Sequence, residues 1–173
     1  MNSFLTGAEV RVAEEEDLWQ VRELAQKIFP ETYREIVDGR QIDFMMDLFY
    51  TPEALVTHLN AGQIFLILYF ESIPSGYASF TPFSQQGFFK LNKIYVDHSL
   101  KGKGLGRFLL LEVLLRVKAA GGHTLQLNVN RLNTATGFYR KMGFVVVKEE
   151  LLDIGDGYFM DDFVMELKLT PAG

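Results

Sequence analysis

The sequence predicts one α/β domain, and three observations carry that prediction. The chain has 173 residues, 48% of them hydrophobic, which is enough for a single substantial core. Apolar residues recur at two periods: every second position in Leu125, Leu127 and Val129, and at helical spacing in Leu18, Val21, Leu24, Ala25 and Ile28. Between them lies Leu91–Leu110, where a strand runs through three alternate glycines into a helix. No repeat, linker or low-complexity segment interrupts this, so residues 1–173 read as one domain.

The elements follow in order. Val10–Ala13 is a short first strand. Glu14, Glu15, Glu16 and Asp17 then put negative charge on the first turn of a helix, where the dipole favours it; Pro30 should end that helix. Phe44, Met45, Leu48, Phe49, Leu55 and Leu59, broken by Pro52, give two short helices. These pack on the sheet or wall a substrate cleft. Ile64–Phe70 and Gly76–Phe80 flank the turn residues Glu71–Ser75 as an antiparallel hairpin. Phe88–Val96 is the strand that enters the glycines, and a helix from Leu105 ends at Gly121-Gly122. Its polar stripe sets Glu112 and Arg116 one turn apart, as a pair. Leu125–Val129 is a half-buried strand, and Asn133–Met142 a short helix with Asn133 as cap and Gly143 behind it. Phe144–Val147 and Phe159–Leu169 complete the sheet around a Gly155–Gly157 turn.

The glycine stretch carries chemistry. Gly102, Gly104 and Gly106 stand where a strand becomes a helix, and the first N–H groups of a helix lack internal partners and carry partial positive charge. Glycine lets the backbone take φ > 0 and lets a phosphate approach without meeting a Cβ. Lys101, Lys103 and Arg107 add mobile cations. A P-loop is excluded, because Gly106 is followed by Arg107 and Phe108 rather than Lys-Ser/Thr. The G-x-G-x-G spacing and the lack of an acidic residue between Val113 and Lys148 argue against a dinucleotide fingerprint.

Composition narrows the rest. Without cysteine there is no disulfide, thiolate metal site or cysteine nucleophile, which is compatible with the cytoplasm, and no metal is called for. No signal peptide or membrane-length apolar run is visible. A net charge of −5 argues against general nucleic-acid binding and permits a cationic substrate. A homodimer stays open.

The stretch Asn133-Thr-Ala-Thr-Gly-Phe-Tyr-Arg-Lys-Met-Gly-Phe144, in company with the glycine loop, resembles the second signature of the GNAT superfamily of N-acetyltransferases. Asn133, Ala135 with Thr136, Phe138, Tyr139, Gly143 and Phe144 fill its positions; Thr136 stands where alanine is usual. The resemblance spans roughly residues 8–169. It implies a mixed, mostly antiparallel sheet of about seven strands with helices on both faces, opened as a V between the strand ending at Val96 and Leu125–Val129. Acetyl-CoA would lie in the V. Tyr95 and Val96 would hold its acetyl carbonyl and pantetheine by backbone groups, Lys101 to Arg107 its pyrophosphate by N–H groups, including those of Gly102, Lys103, Gly104, Leu105 and Gly106. Asn133 would contact pantetheine, and Tyr139 would stand beside the sulfur as acid for the leaving thiolate.

The usual strand glutamate is missing: Lys90, Asn92 and Lys93 occupy that strand, so no general base is assigned. Asp97 and His98 read first as turn formers, Glu31 and His58 are distant candidates for the base, and a water chain to solvent is an equally good one. The stretch Ile28–Tyr33 with Phe44–Met46 and Phe49-Tyr50 loosely resembles bacterial spermine/spermidine acetyltransferases of the Pai type. That likeness puts Phe29 and Tyr33 against a small amine acceptor, with a polyamine foremost, beside Glu31, Glu35, Asp38, Asp43 and Asp47. Protein, peptide, antibiotic or amino-acid acetyltransferases are alternatives. So are two binding modules: an acyl-CoA sensor without catalysis, and an NAD- or nucleotide-binding regulator.

Overall fold

The computed structural model describes residues 5–171. The chain forms β1 (Ala8–Ala13), α1 (Leu18–Tyr33), α2 (Gly39–Tyr50), α3 (Pro52–Asn60), β2 (Ile64–Phe70), β3 (Ile73–Pro82), β4 (Phe88–Val96), α4 (Leu105–Ala119), β5 (Thr124–Asn130), α5 (Ala135–Lys141), β6 (Val145–Gly155) and β7 (Tyr158–Lys168). All seven strands join one sheet in the order β1-β2-β3-β4-β5-β7-β6, parallel only between β4 and β5. This is the mixed, mostly antiparallel sheet that the resemblance implied.

Side-chain alternation divides the core into two layers. Phe65 and Ile67 of β2 pack with α1, α2 and α3, while Leu66 and Leu68 pack with α4 and α5. Burial on both faces explains why Ile64–Phe70 is apolar throughout. The β2–β3 turn is tighter than expected: Glu71 and Ser72 both take positive φ (50° and 66°), as a two-residue hairpin requires, and β3 starts at Ile73.

Helix α1 does not stop at Pro30 but runs on to Tyr33. A proline inside a helix costs about 3 kcal/mol. The extra turn buries Tyr33 on the Phe29 ring and brings its hydroxyl to Tyr95, and a buried ring returns roughly 1.5–3 kcal/mol before the ring contact and hydrogen bond are added. Burial wins, and it carries the Tyr33 hydroxyl to 3.2 Å from that of Tyr95.

The sheet opens where β4 leaves β5. Their pairing covers only Phe88–Leu91 against Thr124–Leu127. Beyond it, the rest of β4 stays with β3 and the end of β5 stays with β7. A bulge accompanies the parting: Ser79 faces Lys93 and Phe80 faces Leu91, which leaves Asn92 unpaired. Leu91 packs in the α4 layer before the bulge, as Ile94 and Val96 do after it, while Tyr95 joins the α1 layer. The extra residue therefore re-aims Lys93 and Tyr95 toward α1.

Gly76 holds β3 against this segment, opposite Val96. A Cβ there would lie 2.7 Å from the Tyr95 carbonyl oxygen and 3.3 Å from the Val96 Cα. Gly76→Ala should therefore lower the unfolding free energy by about 1–3 kcal/mol, the range for overpacking. Denaturant unfolding checks this, and a change below about 0.5 kcal/mol would show that the strands can part freely.

Candidate active site

The loop after β4 is built by its own side chains. Asp97 Oδ1 accepts from the Ser99 N–H (2.9 Å) and hydroxyl (2.8 Å), and Oδ2 pairs with Lys27 of α1. Burial works to raise the Asp97 pKa, but the bonds from Lys27 and Ser99 outweigh it and hold it below the usual value. His98 Nε2 lies 3.0 Å from Thr32 Oγ1 on α1. Both residues thus shape and tether the turn.

Gly102 and Gly104 follow with φ of +85° and +77°, and a Cβ on either would meet nothing within 4 Å. The Lys101 and Lys103 N–H groups are spent on the His98 and Leu100 carbonyls. Those of Gly102, Gly104, Leu105, Gly106 and Arg107 have no backbone partner among the described residues. Five free donors at the start of a 15-residue helix form an anion cradle that fits a pyrophosphate. Lys103 departs from the expectation. Its Nζ lies over the Phe70 ring, 5.7 Å from the centroid, and it does not line the cavity, whereas Lys101 and Arg107 do.

That cavity, of about 770 Å³, fills the V. Tyr95 and Val96 of β4, the glycine loop, Leu127–Val129 of β5, and Asn133 and Tyr139 line it together. Asn133 Oδ1 accepts the Ala135 N–H (2.9 Å), which fixes the side chain at the entry to α5. Tyr139 is buried, with its ring 5.4 Å from Phe138 and 5.6 Å from Phe144. Its hydroxyl makes no hydrogen bond among the described residues. Burial first, and nearby Tyr33 second, push its pKa well above the usual phenol value.

A second cavity, of about 300 Å³, adjoins the first. Phe29, Phe49 and Tyr50 line it, and Tyr33, Leu91, Asn92, Lys93, Tyr95 and Asn128 line both cavities. The acids read from the sequence as an acceptor wall are elsewhere. Glu31 and Glu35 lie by Arg34, Asp38 caps α2 through the Gln41 N–H, and Asp43 and Asp47 are exposed. None of the five lines either cavity.

Of the titratable residues that line the second cavity, the sequence assigns neither Lys93 nor Asp162 to the site, and it offers His58 only as a distant candidate for the base. His58 is pushed down to about 4 by burial and by Lys93, so it is neutral at pH 7. Lys93 is only 8% exposed. Asp162, on β7, is 3% exposed. Asn128 Nδ2 reaches Asp162 Oδ2 at 3.4 Å and Glu150 Oε2 at 2.9 Å, while Asp162 Oδ1 is buried without a partner. Burial raises Asp162 to about 6; the Asn128 bond and Lys90 offset this in part, and Glu150 and Asp161 add to it. A signal for Asp162 did exist: it falls between Met160 and Val164 in the two-residue alternation, an acid on an apolar face.

Residues 37–158 match the GNAT acetyltransferase domain family. The peptidyl-lysine N-acetyltransferase YjaB of Salmonella typhimurium (strain LT2) is 39% identical over 70 residues, 39% of this chain and 45% of that protein, so the match spans less than half of that relative's length. The PaiA N-acetyltransferase of Thermoplasma acidophilum, solved in complex with coenzyme A, superposes with a TM-score of 0.78 at 27% identity, over 94% of this chain and 99% of that one. A GCN5-related N-acetyltransferase from Rhodopseudomonas palustris shares the fold, with a TM-score of 0.80 at 17% identity over 98% of this chain and 100% of its own. Among the described residues no helix is long and apolar enough to cross a membrane. Matched over most of its length, with its glycine cradle at the mouth of a split sheet, the chain belongs to the GNAT acetyltransferase family, whose enzymes use acetyl-CoA as acetyl donor.

Proposed function

We propose that this chain transfers an acetyl group from acetyl-CoA to a primary amine by direct attack in a ternary complex. The observation that carries this reading is the shared wall: six residues line both cavities, so a donor on the glycine cradle and an acceptor from the smaller cavity would meet there. The free N–H groups from Gly102 to Arg107, with the Lys101 and Arg107 side chains, would hold the pyrophosphate. Asn133 and the backbone of Tyr95 and Val96 would hold the pantetheine arm and acetyl carbonyl. Bound there, acetyl-CoA supplies an activated thioester. Asp162 Oδ1, unpartnered in the acceptor cavity, would take the proton that an ammonium must lose before its nitrogen can attack. Tyr139 Oη would turn its proton toward the departing sulfur. A chain without cysteine has no acetyl-cysteine route.

Two likenesses divide over the acceptor. The sequence resemblance to Pai-type spermine/spermidine acetyltransferases supports a polyamine and the match to the peptidyl-lysine N-acetyltransferase YjaB a peptide lysine, but the acids that favoured a polyamine lie outside both cavities. The test is thiol release from acetyl-CoA against polyamines, lysine peptides and amino acids. Release with any amine supports the reading, and CoA binding without release to any amine would make the protein an acyl-CoA sensor.

Gly104→Val probes the cradle. Its Cβ meets open space, so no packing is lost, although a β-branched residue at φ +77° adds about 1–3 kcal/mol of backbone strain. The variant should fold yet bind CoA more than about tenfold more weakly, through Cβ branches in the path of the phosphates. Calorimetry with CoA measures this; unchanged affinity would move the pyrophosphate elsewhere.

A further inference from the structure

The acceptor cavity contains a cation that no anion answers. Lys93 Nζ stands 5.5 Å from the ring centroid of Tyr50, 5.8 Å from Phe65 and 5.9 Å from Phe49. It has no hydrogen bond or ion pair among the described residues. Ring faces replace only part of the hydration that a buried ammonium gives up. Burial, then Lys90, lower the Lys93 pKa to about 8, which still leaves it mostly charged at pH 7.

Other unused donors accompany it. Ser79 sits opposite Lys93 across the β3–β4 ladder, and its hydroxyl donates to Gln63 Oε1 (3.0 Å). The Gln63 amide NH₂ is thereby left without a partner, at the wall of the same cavity. His58 lines that wall as a neutral imidazole whose Nδ1 is buried and unpartnered. An ammonium, an amide and an imidazole thus lack an acceptor. Asp162 Oδ1, in the same cavity, lacks a donor. Of these groups, His58 Nδ1 and Asp162 Oδ1 are buried and cost free energy as they stand, and one dipolar guest would satisfy both sets.

We propose that the acceptor is an amine that also carries a carboxylate, of free amino-acid size, with Lys93, Gln63 and His58 taking its carboxylate and Asp162 its ammonium. This rests on the reading of the smaller cavity as the acceptor site. The volume suits it, since about 300 Å³ holds an amino acid with room for an apolar side chain along Phe29, Met45 and Tyr50. A polyamine would bring a second cation to Lys93. A peptide lysine would bring a methylene chain whose carboxyl end is already an amide.

The experiment separates recognition from turnover. N-acetyl-leucine, N-acetyl-phenylalanine and N-acetyl-methionine, and the amide of each, are titrated by calorimetry into the CoA-saturated protein. A charge-assisted contact of this kind corresponds to about ten- to a hundredfold in affinity, so at least one acid should bind that much more tightly than its amide. Lys93→Met keeps the length and apolar volume, and should bring acid and amide to within about twofold. Lys93→Arg should retain part of the preference. Equal binding of each pair by the parent protein, tighter binding of the amides, or no binding of any acid overturns the proposal. So does a higher kcat/KM for spermidine or a lysine peptide than for every amino acid, a result that leaves amine acetylation standing. Acid-selective binding without acetyl transfer to any amine would instead keep the carboxylate site and remove the transferase reading.

Discussion

Replacing Tyr139 with phenylalanine is expected to lower kcat by about 10²–10³-fold, the loss typical of one donor aimed at developing negative charge. The ring packs against Phe138 and Phe144 and would stay, and the hydroxyl has no partner within the described chain to lose. Stability should therefore change little, because the ring contacts are kept and no hydrogen bond within the described chain is lost. Burial, then Tyr33, keep Tyr139 protonated at every working pH, so the proton is always present. The same shift makes full transfer to a thiolate, whose acid has an ordinary pKa of about 8.5, uphill. What the hydroxyl would offer is a hydrogen bond to the leaving sulfur as it gains charge. The kcat–pH profile should accordingly show no inflection assignable to Tyr139 below pH 10. Single-turnover acetyl transfer, where chemistry limits the rate, is the measurement, and an unchanged rate in Tyr139→Phe would remove the residue from the mechanism.

How far the chain could be read without its structure depended on the range of the forces involved. The Phe88–Val96 strand, the break at Pro52 and the helix from Leu105 are set by neighbours in sequence, and they stand where the pattern puts them. The second GNAT signature and the glycine loop come together at one cavity because β4 and β5 part after Leu91, a parting that the G-x-G-x-G spacing itself does not encode. Pro30 misleads for a long-range reason. Beyond it Tyr33 is buried and meets Tyr95, a residue far along the chain, and that burial carries the helix past the proline. Lys93 looked like a strand lysine in the wrong place for a catalytic glutamate; the bulge at Asn92 turns it inward, and one unpaired residue leaves little trace in a sequence. The acids around Glu31 are surface residues of α1, α2 and the link between them, and the carboxylate that lines the acceptor cavity comes instead from β7.

Asp162→Asn should make the protein less active and more stable, in the same pH range. A general base must be deprotonated to work, so with a pKa near 6 the parent's rate should rise about tenfold per unit below pH 6 and flatten above it. Burial raises that midpoint most, and four neighbours adjust it: Asn128 from β5 and Lys90 from β4 lower it, and Glu150 from β6 and Asp161 from β7 raise it. The amide cannot accept a proton, so at pH 8 kcat/KM should fall by about 10²–10⁴-fold, and the inflection near 6 should vanish. Stability runs the other way. The folded-state pKa lies above the ordinary carboxyl value of 3.8, so the folded protein binds the proton more tightly, and its stability falls as pH rises through that interval. Well below 3.8 both states are protonated and the penalty is absent; well above 6 it is complete, about 3 kcal/mol. The isosteric amide carries no such charge, and should unfold at higher denaturant concentration than the parent at pH 8 but at a similar concentration at pH 4. A variant that keeps its rate and its inflection near pH 6 would assign the proton to solvent and leave Asp162 as a binding group alone.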